Sequence, residues 1–195
     1  MTDQASTDTP KAHLRNEALA KRDTLAPVAR AAAAETIAAR PFPVSVAGKI
    51  VSGFMPLKTE INPLPLLRKL ADAGATLALP AIAGRGKPLV MRAYAFGDEF
   101  ARGQWGIREP KPEAMQVDPD ILIVPLAAFD RRGHRIGYGA GYYDMTIRAL
   151  RNKKPVIAAG VAFAAQEIDR VPAHDRDEAL DFVLTENEII DFRKR

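Results

Sequence analysis

Residues 120–151 read DILIVPLAAFDRRGHRIGYGAGYYDMTIRALR, and this stretch predicts how the chain folds. Ile121 to Val124 is a short, continuously apolar run rich in β-branched residues, which is typical of a buried parallel strand. The amphipathic segment from Tyr142 to Leu150 predicts a helix. A strand, a loop and a helix in this order indicate an α/β protein.

The loop between this strand and helix has the composition of an anion site. Gly137, Gly139 and Gly141 alternate beside Arg135 and two further arginines. Glycine has no Cβ, so a ligand can approach the backbone N–H groups closely, and the N-terminus of the following helix favours negative charge. We therefore expect a phosphate group as the ligand. The spacing is neither the dinucleotide fingerprint, since Tyr142 replaces the third glycine, nor a P-loop. A purely structural glycine turn remains an alternative.

Composition narrows the function classes. The chain has 195 residues and is 47% hydrophobic, which suits one core, so we expect a single domain over residues 10–195 behind a disordered polar tail at residues 1–9. The absence of cysteine excludes disulfides, thiolate metal sites and thiol catalysis. The three histidines, at positions 13, 134 and 174, are too scattered to favour a zinc site.

The charge and hydropathy of the chain limit which partners and which cellular location we expect for the protein. No run approaches the roughly 20 apolar residues that cross a bilayer, and the first residues lack the layout of a signal peptide, so we expect a cytoplasmic protein without a membrane partner. A net charge of +4, from 28 basic and 24 acidic residues, suits an anionic small molecule. Few aromatic residues interleave with the basic ones, which argues against nucleic acid.

The remaining pattern alternates helices and strands. It predicts a single-domain, three-layer α/β/α fold with a mostly parallel, Rossmann-like sheet. The predicted helices are Lys11–Asp23, Pro27–Ala39 and Pro63–Ala73, and the predicted strands are Val46–Phe54, Thr76–Ala81, Leu89–Tyr94, Val156–Ala162 and Phe182–Leu184. The basic segment Gly84–Lys87 is interpreted as the turn between two of these strands.

Two further positions are candidates for ligand contact. Glu60 follows the strand that leads into Met55, at the edge of the sheet where α/β proteins bind ligands. It could equally be an N-terminal charge of the next helix. Trp105 stands between Gly103 and Gly106, so its indole could face a flat ligand or anchor a loop on the core.

The loop residues carry a resemblance to a known family. The run Phe129-Asp130, Gly133, Arg135 and Gly137–Asp144 resembles the C-terminal motif of the 5-formyltetrahydrofolate cyclo-ligases, also called methenyltetrahydrofolate synthetases. Three further matches occur in the family's order. They are Lys11 with Leu14-Arg15, Phe54-Met55 with Glu60, and Gln104–Ile107 with Pro110. The resemblance spans Lys11 to Asp181, nearly the whole chain.

The resemblance implies the reaction and its ligands. It implies that 5-formyltetrahydrofolate is cyclised to 5,10-methenyltetrahydrofolate with hydrolysis of ATP to ADP and phosphate, through a phosphorylated formyl group (an iminophosphate), by an enzyme that uses Mg²⁺. Apart from the resemblance, we expect a monomer. Arg135 and Lys11 would be catalytic. The implied ATP contacts are Lys11, Arg15, Arg135, Gly137, Tyr138, Gly139, Ala140, Gly141, Tyr142 and Tyr143. The implied folate contacts are Met55, Glu60, Trp105, Tyr138, Gly139, Gly141 and Tyr142. Asp144 and Asp181 would hold the metal.

Each of these roles has a structural alternative. Lys11, Arg15 and Arg22 line one edge of the first helix and could be a solvated face, and we interpret Arg22 as surface. Asp144 could be only a dipole partner of its helix, and Asp181 a carboxylate at a strand end. Two other functions also remain open: a sugar-phosphate or CoA-ester enzyme on a related scaffold, and a basic RNA-binding module.

The glycine loop departs from the family at two positions. Other members often carry glycine or lysine where Ala140 stands, and sometimes arginine where Tyr138 stands. Alanine keeps its backbone N–H but adds a Cβ, so an unstrained loop requires a negative φ at Ala140.

Overall fold

The computed structural model describes residues 4–103 and 106–194. Its helices are α1 (Gln4–Asp23), α2 (Pro27–Ala39), α3 (Leu64–Asp72) and α4 (Tyr142–Arg151), with a 3₁₀ turn at Ala164–Gln166. Its strands are β1 (Ile50–Ser52), β2 (Thr76–Ala81), β3 (Val90–Ala93), β4 (Phe100–Arg102), β5 (Arg108–Pro110), β6 (Ile121–Pro125), β7 (Ala128–Phe129), β8 (Arg135–Ile136), β9 (Ile157–Val161), β10 (Phe182–Leu184) and β11 (Ile189–Asp191).

One seven-stranded sheet organises these elements. Its strand order is β11-β10-β9-β6-β1-β2-β3. The five inner strands are parallel, and the edge strands β3 and β11 pair antiparallel to their neighbours. The mostly parallel sheet is therefore confirmed. Two small hairpins, β4-β5 and β7-β8, lie outside it.

Side chains from both faces of the sheet are buried against helices. Ile121 and Ile123 of β6 pack in one apolar cluster with residues of α2 and α3. Leu122 and Val124 pack in a second cluster with Ile147 of α4. Successive side chains of a strand point to opposite faces, so helices cover both faces and the predicted three-layer α/β/α arrangement is confirmed.

The order of the strands creates a crevice at one edge of the sheet. The chain adds β2 and β3 on one side of β1 and then crosses to place β6, β9 and β10 on the other. Connections leave the ends of β1 and β6 in opposite directions at such a switch point, and open α/β sheets bind ligands there. The segment that contains Met55 and Glu60 leaves from β1, and the glycine-rich loop follows β6.

Several boundaries differ from the sequence predictions. Helix α1 begins at Gln4, seven residues before the predicted start at Lys11. Strand β1 is shorter than Val46–Phe54 because the chain turns at Gly48, where φ is 70° and the N–H donates to Gly74 O. Strand β11 was not predicted. None of the helices described here is long and apolar enough to cross a membrane.

Candidate active site

A polar cavity of about 410 Å³ opens between α1, the glycine loop (residues 137–141) and the first turn of α4, and we call it the cationic cavity. Four arginines and a lysine contribute to its wall, which makes it strongly positive. Its lining residues are Lys11, Arg15, Gly86, Arg135, Ile136, Gly137, Gly139, Ala140, Gly141, Asp144, Met145, Arg148, His174, Arg176 and Asp177. The sequence analysis named eight of these residues among its ATP and metal contacts, and the fold brings them together.

Helix α1 supplies two cations to this cavity. Lys11 is only 8% exposed, and its ammonium donates to Asp177 Oδ2 at 2.6 Å. Arg15 Nε donates to Gly137 O at 2.7 Å. The Arg15 guanidinium lies against Gly139, and a side chain at position 139 would bring its Cβ to 3.6 Å from the guanidinium. These contacts fix both side chains against the loop, so the alternative of a solvated face does not hold for this part of α1.

Arg135 is buried beneath the glycine loop. Its side chain is 3% exposed, and NH2 donates to Asp144 Oδ1 at 2.7 Å while NH1 donates to Glu178 O. Burial lowers the pKa of this guanidinium, and the carboxylates of Asp144 and Asp177 oppose that shift. An arginine remains charged at neutral pH despite such a shift, so a fixed positive charge lies under the loop.

The backbone of the loop presents donors to the cavity. Helix α4 begins after Gly141, which has a φ of 67° and makes no side-chain cap, so the first N–H groups of the helix lack the usual cap acceptor. Gly139 has a φ of 101°. Lys58 is the one non-glycine residue with positive φ among those described, so the predicted negative φ of Ala140 is confirmed.

A second cavity, of about 510 Å³, lies on the other side of the loop and is largely apolar; we call it the apolar cavity. It occupies the crevice between the ends of β1 and β6. Its wall includes Leu19, Arg22, Phe54, Met55, Leu57, Lys58, Glu60, Pro80, Ile82, Leu89, Ile107, Arg108, Glu109, Pro125, Arg135, Gly137, Tyr138, Ala140, Gly141, Tyr142, Tyr143 and Asp144.

Glu60 is held by its own turn and not by a helix. Its Oε2 accepts from Leu57 N at 2.8 Å, and α3 starts only at Leu64. Burial raises the pKa of this carboxyl, against the opposing effects of Tyr138, the Leu57 amide and the charge of Arg22. The position in the apolar cavity favours the interpretation of Glu60 as a ligand contact over that of a helix-dipole partner.

The three tyrosines of the motif line the apolar cavity and not the cationic one. Tyr138 and Tyr143 have pKa values raised mainly by burial, with Glu60 adding to the shift, so both phenols are protonated at neutral pH. The Tyr143 hydroxyl is buried and has no hydrogen-bond partner among the described residues. Their location corresponds better to the implied folate contacts than to the implied ATP contacts.

The two cavities meet at one wall. Both are lined by Arg135, Gly137, Ala140, Gly141 and Asp144. Asp144 accepts from Arg135 and from Glu178 N through Oδ1, while Oδ2 has no partner among the residues described. A ligand in one cavity would therefore face a ligand in the other across a few backbone atoms and one carboxylate.

Two residues named from the sequence are not brought to this wall. Asp181 lines neither cavity, because its Oδ2 accepts from Arg151 NH2 at 2.9 Å and from Ala158 N at 2.8 Å, which ties it to the sheet. Trp105 lies outside the described residues. Within the described part of the chain, no three His, Asp or Glu residues cluster as metal ligands.

Two of the site residues that the sequence analysis did not assign to a ligand make specific contacts in the site. Arg22 was interpreted as surface, which is wrong: it is 5% exposed and lines the apolar cavity. Its place on the same helix edge as Lys11 and Arg15 was an available signal. Asp177 pairs with Lys11 across 166 positions of sequence, and no local pattern indicated that contact.

Fold and site together define a class. A mostly parallel α/β sheet with a cationic cavity and an apolar cavity at its switch point is typical of an enzyme that binds small-molecule ligands there, and the cationic cavity suits an anionic group.

Comparisons with known proteins identify the family. The family model described as the 5-formyltetrahydrofolate cyclo-ligase family matches residues 7–186, and the chain belongs to this family of enzymes. A 5-formyltetrahydrofolate cyclo-ligase of Mycolicibacterium smegmatis is 32% identical over 183 residues, which cover 90% of this chain and 93% of that protein. The Escherichia coli (strain K12) cyclo-ligase is 32% identical over 158 residues, covering 76% and 84%.

Solved structures agree with this assignment. The 5,10-methenyltetrahydrofolate synthetase of Aquifex aeolicus superposes with a TM-score of 0.78 at 28% identity, covering 94% of this chain and 93% of that one. The synthetase of Mycoplasma pneumoniae, with a TM-score of 0.69 and 20% identity over 90% and 98% of the two chains, shares the fold. The family resemblance recognised from the sequence motifs is confirmed.

Proposed function

We propose that this enzyme cyclises 5-formyltetrahydrofolate to 5,10-methenyltetrahydrofolate, with hydrolysis of ATP to ADP and phosphate, through an iminophosphate. The observation that carries the proposal is the shared wall of the two cavities, which is built from the glycine loop, Arg135 and Asp144. It supports a reaction in which a phosphoryl group in one cavity meets an acceptor atom in the other. Membership of the cyclo-ligase family supports the choice of folate as that acceptor.

The cationic cavity is the proposed ATP site. Lys11, Arg15 and Arg135 surround the glycine loop with positive charge, and the uncapped N-terminus of α4 adds backbone donors. Phosphoryl transfer gains mainly from positioning and from charge stabilisation, so donors that are already fixed by Asp177, Gly137 and Asp144 cost little reorganisation during the reaction.

The apolar cavity is the proposed folate site. Its volume of about 510 Å³ and its largely apolar wall suit a flat heterocycle with a few polar groups. Glu60 is proposed to accept hydrogen bonds from the pterin, while Met55, Tyr138 and Tyr142 contribute packing surface. Trp105 keeps the folate role that the family resemblance implies.

The chemistry requires no nucleophile from the protein. The formyl oxygen attacks the γ-phosphorus of ATP and the bond to ADP breaks, which leaves N5=CH–O–PO₃. The N10 amine then bonds to this carbon and releases its proton to solvent or a nearby base. Phosphate departs with the formyl oxygen, and the N5=CH–N10 amidinium of the product remains. A chain without cysteine can carry out each of these steps.

Asp144 is the proposed protein ligand for the Mg²⁺ that accompanies ATP. Its Oδ2 is free of partners among the described residues, and it stands on the wall shared by the cavities. Mg²⁺ commonly uses one or two carboxylates together with waters and substrate phosphates, so a site without a three-residue cluster fits this ion. Bound there, the ion would neutralise phosphate charge. Asp181 lines neither cavity, whereas Asp177 lines the cationic cavity and is the second carboxylate that we propose for the site.

We further propose that the enzyme acts as a cytoplasmic monomer, since both cavities are built from one chain and the reaction consumes ATP.

The direct test of the proposed function is the near-ultraviolet absorbance of protein incubated with 5-formyltetrahydrofolate and Mg²⁺, with and without ATP. Formation of the conjugated methenyl product only when ATP is present, with one ADP per product, supports the proposal. Equal conversion without ATP would refute it.

A further inference from the structure

Arg22 is a buried cation on the wall of a mostly apolar cavity. Its residue exposure is 5%, and arginine is rarely buried to this degree without a specific partner. Nε donates to Thr59 Oγ1 at 3.1 Å, and NH1 donates to the Tyr138 hydroxyl at 2.7 Å. These two contacts hold the guanidinium at a fixed orientation between α1, the turn before α3 and the glycine loop.

The fixed guanidinium has donors to spare. Arginine carries five N–H donors, and the contacts to Thr59 and Tyr138 engage two of them. NH2 makes no hydrogen bond to any described residue. It is also not one of the fully buried, unpaired side-chain atoms of the described residues. It therefore keeps access to open space, and the space beside Arg22 is the apolar cavity.

Arg22 acts next to Glu60. Its positive charge is felt at the Glu60 carboxyl, and both side chains line the same cavity. A carboxylate can only accept hydrogen bonds when ionised, and a guanidinium can only donate them. The two side chains thus present an acceptor and a donor to the same occupant of the cavity.

That pattern is the complement of one edge of a pterin. The 2-amino group and N3–H of a pterin are donors, and the neighbouring O4 is an acceptor. We propose that Arg22 donates to the pterin O4 while Glu60 accepts from the adjacent donor edge, which makes Arg22 a specificity-determining residue for 4-oxo pterins. The inference rests on the proposed function, since it deepens the assignment of the apolar cavity to folate.

The test compares two ligands in binding experiments without ATP. The probes are 5-formyltetrahydrofolate and its 4-amino-4-deoxy analogue, in which a donor replaces the O4 acceptor. Loss of a hydrogen bond from a charged donor predicts that Arg22→Gln raises the Kd of the 4-oxo ligand about 10- to 100-fold. The Kd of the 4-amino ligand should change much less, so the preference for the 4-oxo ligand should collapse.

A matched control is Lys21→Gln, which removes a neighbouring, exposed charge from the same helix. It should leave both Kd values unchanged. Thermal melts of each variant show whether it is folded. If Arg22→Gln is not folded, Arg22→Met takes its place, because methionine fills part of the space of the arginine stem and has no hydrogen-bond donor.

The outcomes separate a role in recognition from a role in structure. An Arg22 variant that weakens both ligands equally would mean that Arg22 only shapes the cavity, and the proposal would be wrong. A folded wild-type protein that neither binds nor converts 5-formyltetrahydrofolate would refute the proposed function itself. A wild-type protein that converts the substrate, together with an Arg22 variant that keeps the full 4-oxo preference, would refute the assignment of Arg22 alone.

Discussion

Arg135→Lys tests whether the buried guanidinium under the glycine loop drives phosphoryl transfer. The substitution keeps the positive charge but removes the fork that holds Asp144 Oδ1 and Glu178 O at the same time. A lysine ammonium in this space can reach one of these acceptors. The variant therefore separates the presence of a charge from its placement.

The structure sets the size of two effects. Loss of one hydrogen bond from a buried charged donor costs about 1.5–3 kcal/mol of unfolding free energy, which corresponds to roughly 3–12 °C in the melting temperature of a chain of this size. Misplacing one fixed donor at the reacting group should lower kcat about 10²- to 10³-fold. We also expect a higher KM for ATP, because Arg135 lines the cationic cavity.

Steady-state kinetics with each substrate varied in turn, together with urea unfolding, measure both effects. Arg131→Lys is the matched control, because Arg131 is in the same segment but is exposed and pairs with Glu167 and Glu188 at the surface. It should leave the kinetics unchanged. An Arg135→Lys variant that is less stable but retains wild-type kcat and ATP KM would refute the catalytic role of Arg135.

Three further substitutions probe other parts of the account. Glu60→Gln should weaken folate binding and abolish the loss of binding at acid pH. In the wild type this loss should occur above pH 4.5, the ordinary pKa of a glutamate, because burial raises the Glu60 pKa and only the ionised form accepts the hydrogen bonds. Folate binding measured from pH 5 to 8 with enzyme-free controls tests this, and the same acid-dependent loss in the variant would count against it. Gly139→Ala should lower the free energy of unfolding by about 1–3 kcal/mol and raise the KM for ATP, because φ is 101° and the new Cβ would lie against Arg15. Calorimetry and kinetics measure the two effects, and a variant with unchanged stability and KM would contradict the loop geometry. Asp181→Ala should lower stability by about 1–3 kcal/mol through the lost contacts to Arg151 and Ala158 N, with no change in Mg²⁺ dependence; a Mg²⁺ titration that shifts markedly would instead restore Asp181 as a metal ligand.

Local sequence pattern predicted much of the fold. The apolar run of β6 was recognised because buried parallel strands are typically continuously apolar and rich in β-branched residues, and the segment Thr76–Ala81 was also predicted correctly as a strand. The turn Gly84–Lys87 was predicted between two strands, and β2 and β3 do pair antiparallel around it. Strand β11 was missed because its pairing with β10 depends on a tertiary contact that short sequence windows do not contain.

The candidate site was predicted less completely than the fold. The motif from Arg135 to Asp144 marked the wall between the cavities, because its glycines and arginines lie close together in the sequence and can offer backbone N–H groups and positive charge to an anion. The division into a cationic and an apolar cavity was not foreseen. Tyr138 and Tyr142 were assigned to both ATP and folate and Tyr143 to ATP alone, and all three line the apolar cavity. Contacts such as that between Lys11 and Asp177 arise only when distant segments pack together.

The most direct test of the central claim follows the formyl oxygen. The shared wall of the two cavities predicts that this oxygen attacks the γ-phosphorus, so it must leave the folate with the released phosphate. The measurement is mass spectrometry of the phosphate formed from ATP and 5-[formyl-¹⁸O]formyltetrahydrofolate in unlabelled water. The account predicts one ¹⁸O atom in each phosphate. Phosphate that carries only oxygen from ATP and water would contradict it.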